Sequence, residues 1–243
     1  GSSLGDIVVL KTLLTILREV GVTPSLLRIN ALGDRESQMR YAKELSLYVR
    51  KRAADLPDTL RHSVFADPFS LFGSADEGKQ RVAGEAPRAL SFLSEKSRDH
   101  LKEILESLEH LDVAYAIDDR LNTHEARSPR LVFAIDLKEE SDVILHVGGG
   151  RFDEYLRRLT GRKEGMGTHA SIYFRKKGLD RREALTMRTR TPRIYFIQLG
   201  SEAKLRSLSV LEILRRARIP VYQSFQTDRL GPQLTEAEKL KVP

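Results

Sequence analysis

Between Ile7 and Val20 apolar residues recur at Leu10, Leu13, Leu14 and Leu17, the spacing of one helix face, and Gly21 stands where such a helix stops. The run from Leu26 to Leu32 predicts a strand. Asp34 then reads as the cap of a long amphipathic helix carrying Tyr41, Leu45, Tyr48 and Val49. Residues 56–95 lose the pattern, with Pro57, Pro68, Gly73, Gly78, Gly84 and Pro87 spread among them, and predict short helices or a functional loop. Ser97 is read as opening another helix, with Leu101, Ile104, Leu105, Leu108 and Leu111 on one stripe. Three strand-like runs follow, Val113 to Ile117, Arg130 to Leu137 and Val143 to Val147. A helix from Phe152 to Leu159 and a strand around Ala170 to Phe174 come next. The connections among these strands are too short for parallel crossovers, so antiparallel pairing is expected.

After Pro192 the texture changes. Arg193 to Leu199 reads as a buried strand, Glu202 to Arg218 as an amphipathic helix, Val221 to Phe225 as a second strand, and Gln233 to Leu240 as the start of a second helix. This β-α-β-α order predicts a small domain with a parallel sheet and a right-handed crossover. Two strands alone leave a sheet edge open, so the unit is expected to be incomplete or its edge covered. The whole reads as an α/β chain of the α+β kind: an antiparallel-sheet domain over residues 1–175, a basic linker over 176–192, and the small βαβα domain over 193–243.

Composition narrows the chemistry. The 243 residues contain no cysteine and no tryptophan, which excludes disulfides, thiolate metal sites and cysteine nucleophiles. No apolar stretch approaches the roughly 20 residues needed to span a bilayer, and no secretory signal is visible, so a soluble cytoplasmic protein with no membrane partner is expected. The net charge of +7 is concentrated: from Phe174 to Arg193 there are eight basic residues against two acids. Arg175, Lys176, Lys177, Arg181, Arg182, Arg188 and Arg190 read either as a phosphate-facing strip for nucleic acid or as a solvated, self-repelling linker. No aromatic residue interleaves between Arg175 and Thr191 to stack bases.

The most informative motif is Gly148-Gly149-Gly150-Arg151-Phe152-Asp153, between a predicted strand and a predicted helix. Successive glycines let a ligand or another strand approach the backbone, while Arg151 and Asp153 offer a cation and a carboxylate at the helix start. Its residues alone leave a structural turn and a binding loop equally open. The six histidines (His62, His100, His110, His124, His146 and His169) show no zinc-type spacing and read as surface or packing residues, so no metal site is expected. His146 stands beside the glycines, at a strand end or against a ligand. Ser94 and Ser97 read as helix caps.

The run Val147 to Tyr155 resembles the glycine-glycine-arginine-tyrosine-aspartate loop that lines the histidine pocket of histidyl-tRNA synthetases. Arg28-Ile29-Asn30-Ala31-Leu32-Gly33-Asp34, Arg40-Tyr41, Ala86-Pro87 and Leu131-Val132-Phe133-Ala134-Ile135 are similar, in order and spacing, to successive landmarks of that family's class II catalytic domain. The tail from Ile194 through Ala237-Glu238-Lys239 is similar to its anticodon-binding domain. The resemblance implies a class II antiparallel sheet and a histidine-pocket loop at Gly148, Gly149, Gly150, Arg151 and Asp153. It also implies tRNA as partner and, as is usual for class II synthetases, a homodimer.

The resemblance also implies what is altered. The family activates histidine with ATP and magnesium, then transfers it to tRNA, and the reaction needs cations around the α-phosphate. The chain begins about where the family has passed its motifs 1 and 2. Aligned on Val132-Phe133, Thr123 stands at the catalytic arginine, and Arg127 and Ser128 at two histidine-contacting tyrosines. Motif 3 should end in glutamate-arginine. Here Gly165 to Ile172 is followed by Tyr173-Phe174, and the nearest arginine, Arg175, is one place late. A one-residue slip on a strand reverses the face unless a bulge corrects it. These departures imply a degenerate paralogue with no assignable catalytic residue, which binds tRNA or a protein partner. Two alternatives remain. One is a fragment of an active histidine–tRNA ligase, in which case ATP and magnesium are the cofactors. The other is a regulatory subunit of ATP phosphoribosyltransferase, to which the family is also similar.

Overall fold

The computed structural model describes residues 3–19, 21–72, 76–122, 130–137, 143–161, 165–176, 191–225 and 227–242; for 137, 143–146 and 174–176 it describes the backbone alone. Helix α1 (Ser3–Glu19) leads into β1 (Pro24–Ala31). Helices α2 (Arg35–Lys51), α3 (Asp58–Ala66), α4 (Glu77–Gly84) and α5 (Glu95–His110) follow, then β2 (Tyr115–Ile117), β3 (Leu131–Leu137) and β4 (Val143–Arg151). Helix α6 (Asp153–Thr160) and β5 (Thr168–Lys176) complete the larger unit.

The five strands lie in the order β2-β1-β3-β4-β5. The β1–β3, β3–β4 and β4–β5 ladders are antiparallel, as expected, but β2 pairs with β1 and runs parallel to it. The short connections named above do not govern that pairing. The crossover from β1 to β2 passes through α2–α5, long enough for a parallel return, and β1 takes the place beside β3.

Helices α1 and α5 cover one face of the sheet. Ile7, Leu10 and Leu17 on α1, Ile104 and Leu108 on α5, and Leu27, Ile29 and Phe133 on the strands form one buried cluster. Fully burying side chains of this size stabilises by about 1.5–3 kcal/mol each. The stretch without pattern builds a second core of its own: Leu56, Val64, Leu71, Phe72 and Val82 pack around Tyr41, Leu45 and Val49 of α2. Its pieces are short, with one-turn 3-10 helices at Ala53–Asp55, Pro68–Leu71 and Ala89–Phe92.

One carboxylate ties the two helix starts together. Asp34 caps α2, accepting from the Ser37 amide at 3.0 Å, and its other oxygen accepts from Ser94 Oγ at 2.6 Å. Ser94, not Ser97, caps α5, which therefore opens at Glu95; Ser97 Oγ lies within 3.3 Å of Asp34 from inside the first turn. Burial alone would raise the Asp34 pKa, but the Ser94 and Ser37 hydrogen bonds bring it down to about 2.

In the C-terminal unit, β6 (Ile194–Phe196) and β7 (Val221–Gln223) pair in parallel, joined by α7 (Gly200–Arg216) and followed by α8 (Leu230–Lys239). The strands are shorter than the apolar runs suggested, and β6 is half-buried rather than buried. Leu208 of α7 joins the main core, with Leu205, Leu211 and Phe225 packed beside it.

Candidate functional site

The three glycines do not form a loop. They lie inside β4, paired on both sides: Gly148 with Ala134 and Ser171, Gly149 with Phe133 and Ala170, Gly150 with Val132 and His169. A Cβ on Gly149 would stand 2.1 Å from the His169 carbonyl oxygen and 2.7 Å from Phe133 Cζ; one on Gly150 would stand 2.4 Å from the Leu131 carbonyl oxygen. It is a neighbouring strand, then, whose close approach these two positions require.

Alternation along a strand divides the motif between the two faces of the sheet. Gly149 and Arg151 share the face of Phe133 and Leu131, under α1. Gly148 and Gly150 share the opposite face, where Arg28 shares a pocket with Ala83 and Gly84 of α4 and where Asn30, Val132 and Ala134 are buried. Across that face the registers align Arg28, Ala134, Gly148 and Ser171 in one row, and Asn30, Val132, Gly150 and His169 in the next. The result is a floor of small residues bounded by Arg28 at one end and by Ser171 and His169, 3.2 Å apart at Oγ and Nε2, at the other. Arg28 is bridged to Asp118 (2.8 Å) and Asp136 (2.9 Å). Asn30 donates to the Leu121 carbonyl at 3.0 Å, which holds the chain after β2 against this edge of the floor.

Arg151 points the other way. Its Nη1 lies 2.9 Å from Asp6 Oδ2 and its Nε 2.9 Å from Asp153 Oδ2, with all three side chains at least 97% buried. His100 Nε2 stands 2.9 Å from the same Asp6 oxygen, and Thr168 Oγ1 donates to the other. Asp153 also takes Arg130 Nη1 at 3.3 Å and the Gly167 amide at 3.2 Å. Burial would raise the Asp6 pKa, yet the His100 hydrogen bond and the Arg151 charge hold it below the usual carboxylate range. The cation and carboxylate that the sequence offers to a ligand thus satisfy each other, with Asp6 as a third member that sequence reasoning missed. Its signal was an acid standing among Leu4, Ile7 and Leu10 on an otherwise apolar helix face.

No protein-family model matches the chain. A histidine–tRNA ligase of Lactococcus lactis is 26% identical over 231 residues, covering 93% of this chain and 53% of that protein. One from Rubrobacter xylanophilus is 29% identical, covering 95% and 56%, and one from Thermosynechococcus vestitus 28%, covering 97% and 55%. The chain is homologous to histidine–tRNA ligases. It spans about half the length of the curated relatives it matches. The crystal structure of apo histidyl-tRNA synthetase from S. aureus covers 100% of the chain and 60% of its own, with a TM-score of 0.52 at 18% identity, a likeness of class II fold.

Set on the synthetase-like frame, the remaining sequence candidates separate. The β4–β5 ladder pairs residue for residue from Thr168 to Lys176, so no bulge shifts Arg175. Arg175 and Lys176 end β5 with their side chains outside the described residues, and Lys177, Arg181, Arg182, Arg188 and Arg190 lie outside them altogether. Thr123, Arg127 and Ser128 lie outside them too, as does the His146 side chain. Among the described residues no group of three or more His, Asp or Glu is placed to hold a metal ion, and no helix is long and apolar enough to cross a membrane.

Proposed function

We propose that this is a histidyl-tRNA synthetase-like protein that binds tRNA and is impaired in activating histidine. The observation that carries the reading is the disposal of the arginines around the glycine strand. Arg151 is turned to the face under α1, between Asp6 and Asp153, and Arg28, at the edge of the glycine floor, is bridged to two aspartates. A nucleotide phosphate on that floor would have to compete with those carboxylates, whereas stabilising an adenylation transition state takes donors already aimed at the developing charge. Losing one such donor costs about 10²–10³ in rate. The described residues therefore do not by themselves fit magnesium–ATP, and no step through it follows. The altered positions at Thr123, Arg127 and Ser128 point the same way.

Support for tRNA comes from the name the relatives carry and from the basic strip of residues 175–193, eight cations against two acids when counted from Phe174. Neutralising about six phosphates corresponds to a log–log salt slope near −5. Fluorescence anisotropy with total tRNA across a salt series is expected to give that slope, and salt-independent or undetectable binding overturns the tRNA reading. Histidine-dependent ATP–pyrophosphate exchange tests the impairment. Exchange well above background from this chain alone would establish the active-ligase reading, which its identity to ligases over nearly its whole length favours. Tight binding of free histidine without exchange would favour a regulatory subunit instead.

A further inference from the structure

Away from the glycine strand, positive charge gathers where the second half of α1 meets the C-terminal end of α7. Glu212, 12% exposed, accepts Arg215 Nη2 at 2.9 Å and Arg216 Nε at 3.1 Å, and Glu19 takes Arg215 Nη1. Beside them Arg215 and Arg218 line an open hollow of about 360 Å3 with Ile219 and Pro220. The Pro220 carbonyl accepts the Arg193 amide at 2.8 Å, which brings the last cation of the basic strip to the same rim. Lys11 and Arg18, two helical turns apart, share one face of α1.

Helix ends account for part of this charge. Arg215 and Arg216 complement the negative end of α7, and Arg18 that of α1. Lys11 lies in mid-helix and Arg193 ahead of β6, so the same account does not reach them. Among the described residues, Lys11, Arg18, Arg193 and Arg218 have no carboxylate at ion-pair distance. Lys11 is half-buried, and that burial lowers its pKa; the Arg18, Arg216 and Arg215 charges lower it further, against the pull of Glu212. Three guanidiniums and one carboxylate therefore act on this ammonium, an excess of like charge that a bound anion relieves.

From this arrangement we infer that the seam between α1 and the C-terminal end of α7 is an RNA-docking surface. Backbone phosphates take Lys11, Arg18, Arg193 and Arg218, while Glu212 and Glu19 hold Arg215 and Arg216 in place beside them. The inference rests on the tRNA reading and deepens it, by giving the phosphates a place on the described residues. Guanidinium suits phosphate because its planar fork of donors meets two oxygens at once. These four cations come from α1, the end of α7 and the entry to β6, so they serve a polymer of repeating charge better than one small anion. The hollow at Arg215 and Arg218 is concave, which suits a strand of backbone rather than a flat lipid surface.

Fluorescence anisotropy of total tRNA on the full chain, across a salt series, tests it with three variants. Arg218 has φ 57°, a left-handed position just past the end of α7 where glycine is ordinary. Arg218→Gly therefore removes the charge and relieves the backbone. It is expected to weaken tRNA binding and flatten the log–log salt slope by about 1, at an unchanged or higher melting temperature. Lys11→Gln with Arg18→Gln is expected to flatten the slope by about 2. Lys43→Gln, on an exposed position of α2, removes as much charge as Arg218→Gly and is expected to leave the slope unmoved. Cations that only complement helix ends predict the parent's binding in all three variants, and that result overturns the inference while the tRNA reading stands. A loss in Lys43→Gln equal to that in Arg218→Gly overturns it too, since net charge would then suffice. A parent chain that binds phosphatidylglycerol vesicles but not tRNA overturns both the inference and the tRNA reading.

Discussion

Replacing Arg151 with methionine keeps an unbranched apolar stem and removes the guanidinium with its charge. Asp6, 0% exposed, and Asp153, 1% exposed, would then remain inside the protein with His100, Thr168, Arg130 and the Gly167 amide as their remaining partners. Breaking one member out of a buried pair costs about 3–5 kcal/mol, because the stranded charge has lost both water and counter-charge. That is a large share of the roughly 5–15 kcal/mol that separates folded from unfolded chains. For a chain of this size about 1 kcal/mol shifts the melting temperature by about 2–4 °C, so Arg151→Met is expected to melt roughly 6–20 °C lower. Removing the Asp6 charge as well, in Asp6→Asn with Arg151→Met, relieves part of the mismatch. The double variant is therefore expected to be more stable than the sum of the singles by about 0.5–3 kcal/mol.

Urea unfolding of the parent, both singles and the double measures that coupling. A loss below about 1 kcal/mol in Arg151→Met would refute the buried-network account. Additivity within about 0.3–0.5 kcal/mol would do the same. If Arg151 instead served a ligand, its loss would abolish histidine or nucleotide binding and leave the melt unmoved.

Three further outcomes follow from the same geometry. Gly149→Ala drives a Cβ to 2.1 Å from the His169 carbonyl oxygen and is expected to destabilise by about 1–3 kcal/mol or more in thermal melts. Asp34→Ala removes the cap of α2 and the acceptor of Ser94, costing about 1–2 kcal/mol at neutral pH by urea titration. Because the folded Asp34 pKa is about 2, below the ordinary aspartate value near 3.9, its contribution is present above about pH 4 and lost as pH falls toward 2; the gap between parent and Asp34→Ala should close over that window. Asp6 is shifted in the same direction, so its contribution too fades in acid, and the coupling to Arg151 measured at neutral pH should shrink as the pH is lowered.

How much of this was legible depends on the length over which each signal is written. Helix α1 carries its apolar face over 17 residues, and α5 over 16, so both stand out in the sequence to within a few residues of their ends. Residues 56–95 hold nothing longer than the nine-residue α3 before α5 begins, too few turns for a 3.6-residue period to show, and their core around Tyr41 is invisible until the pieces are brought together. Strand β2 is three residues long, and its parallel partner lies across four intervening helices, so pairing by nearest neighbour misplaces it.

The glycine motif was legible as a motif but not as a geometry. Three glycines before a helix suggest a loop, and only the ladders on both sides of β4 reveal that the missing side chains make room for β3 and β5. The same ladders decide which way Arg151 points, since the residue after a glycine on one face lies on the other. Asp6, Arg151 and Asp153 are separated by up to 147 residues in sequence yet form one charge network. An arginine's chemistry is therefore set less by its motif than by which carboxylates the fold brings to it. For this chain the fold brings two to Arg151 and two to Arg28. That pairing is what any anion approaching either arginine would have to displace.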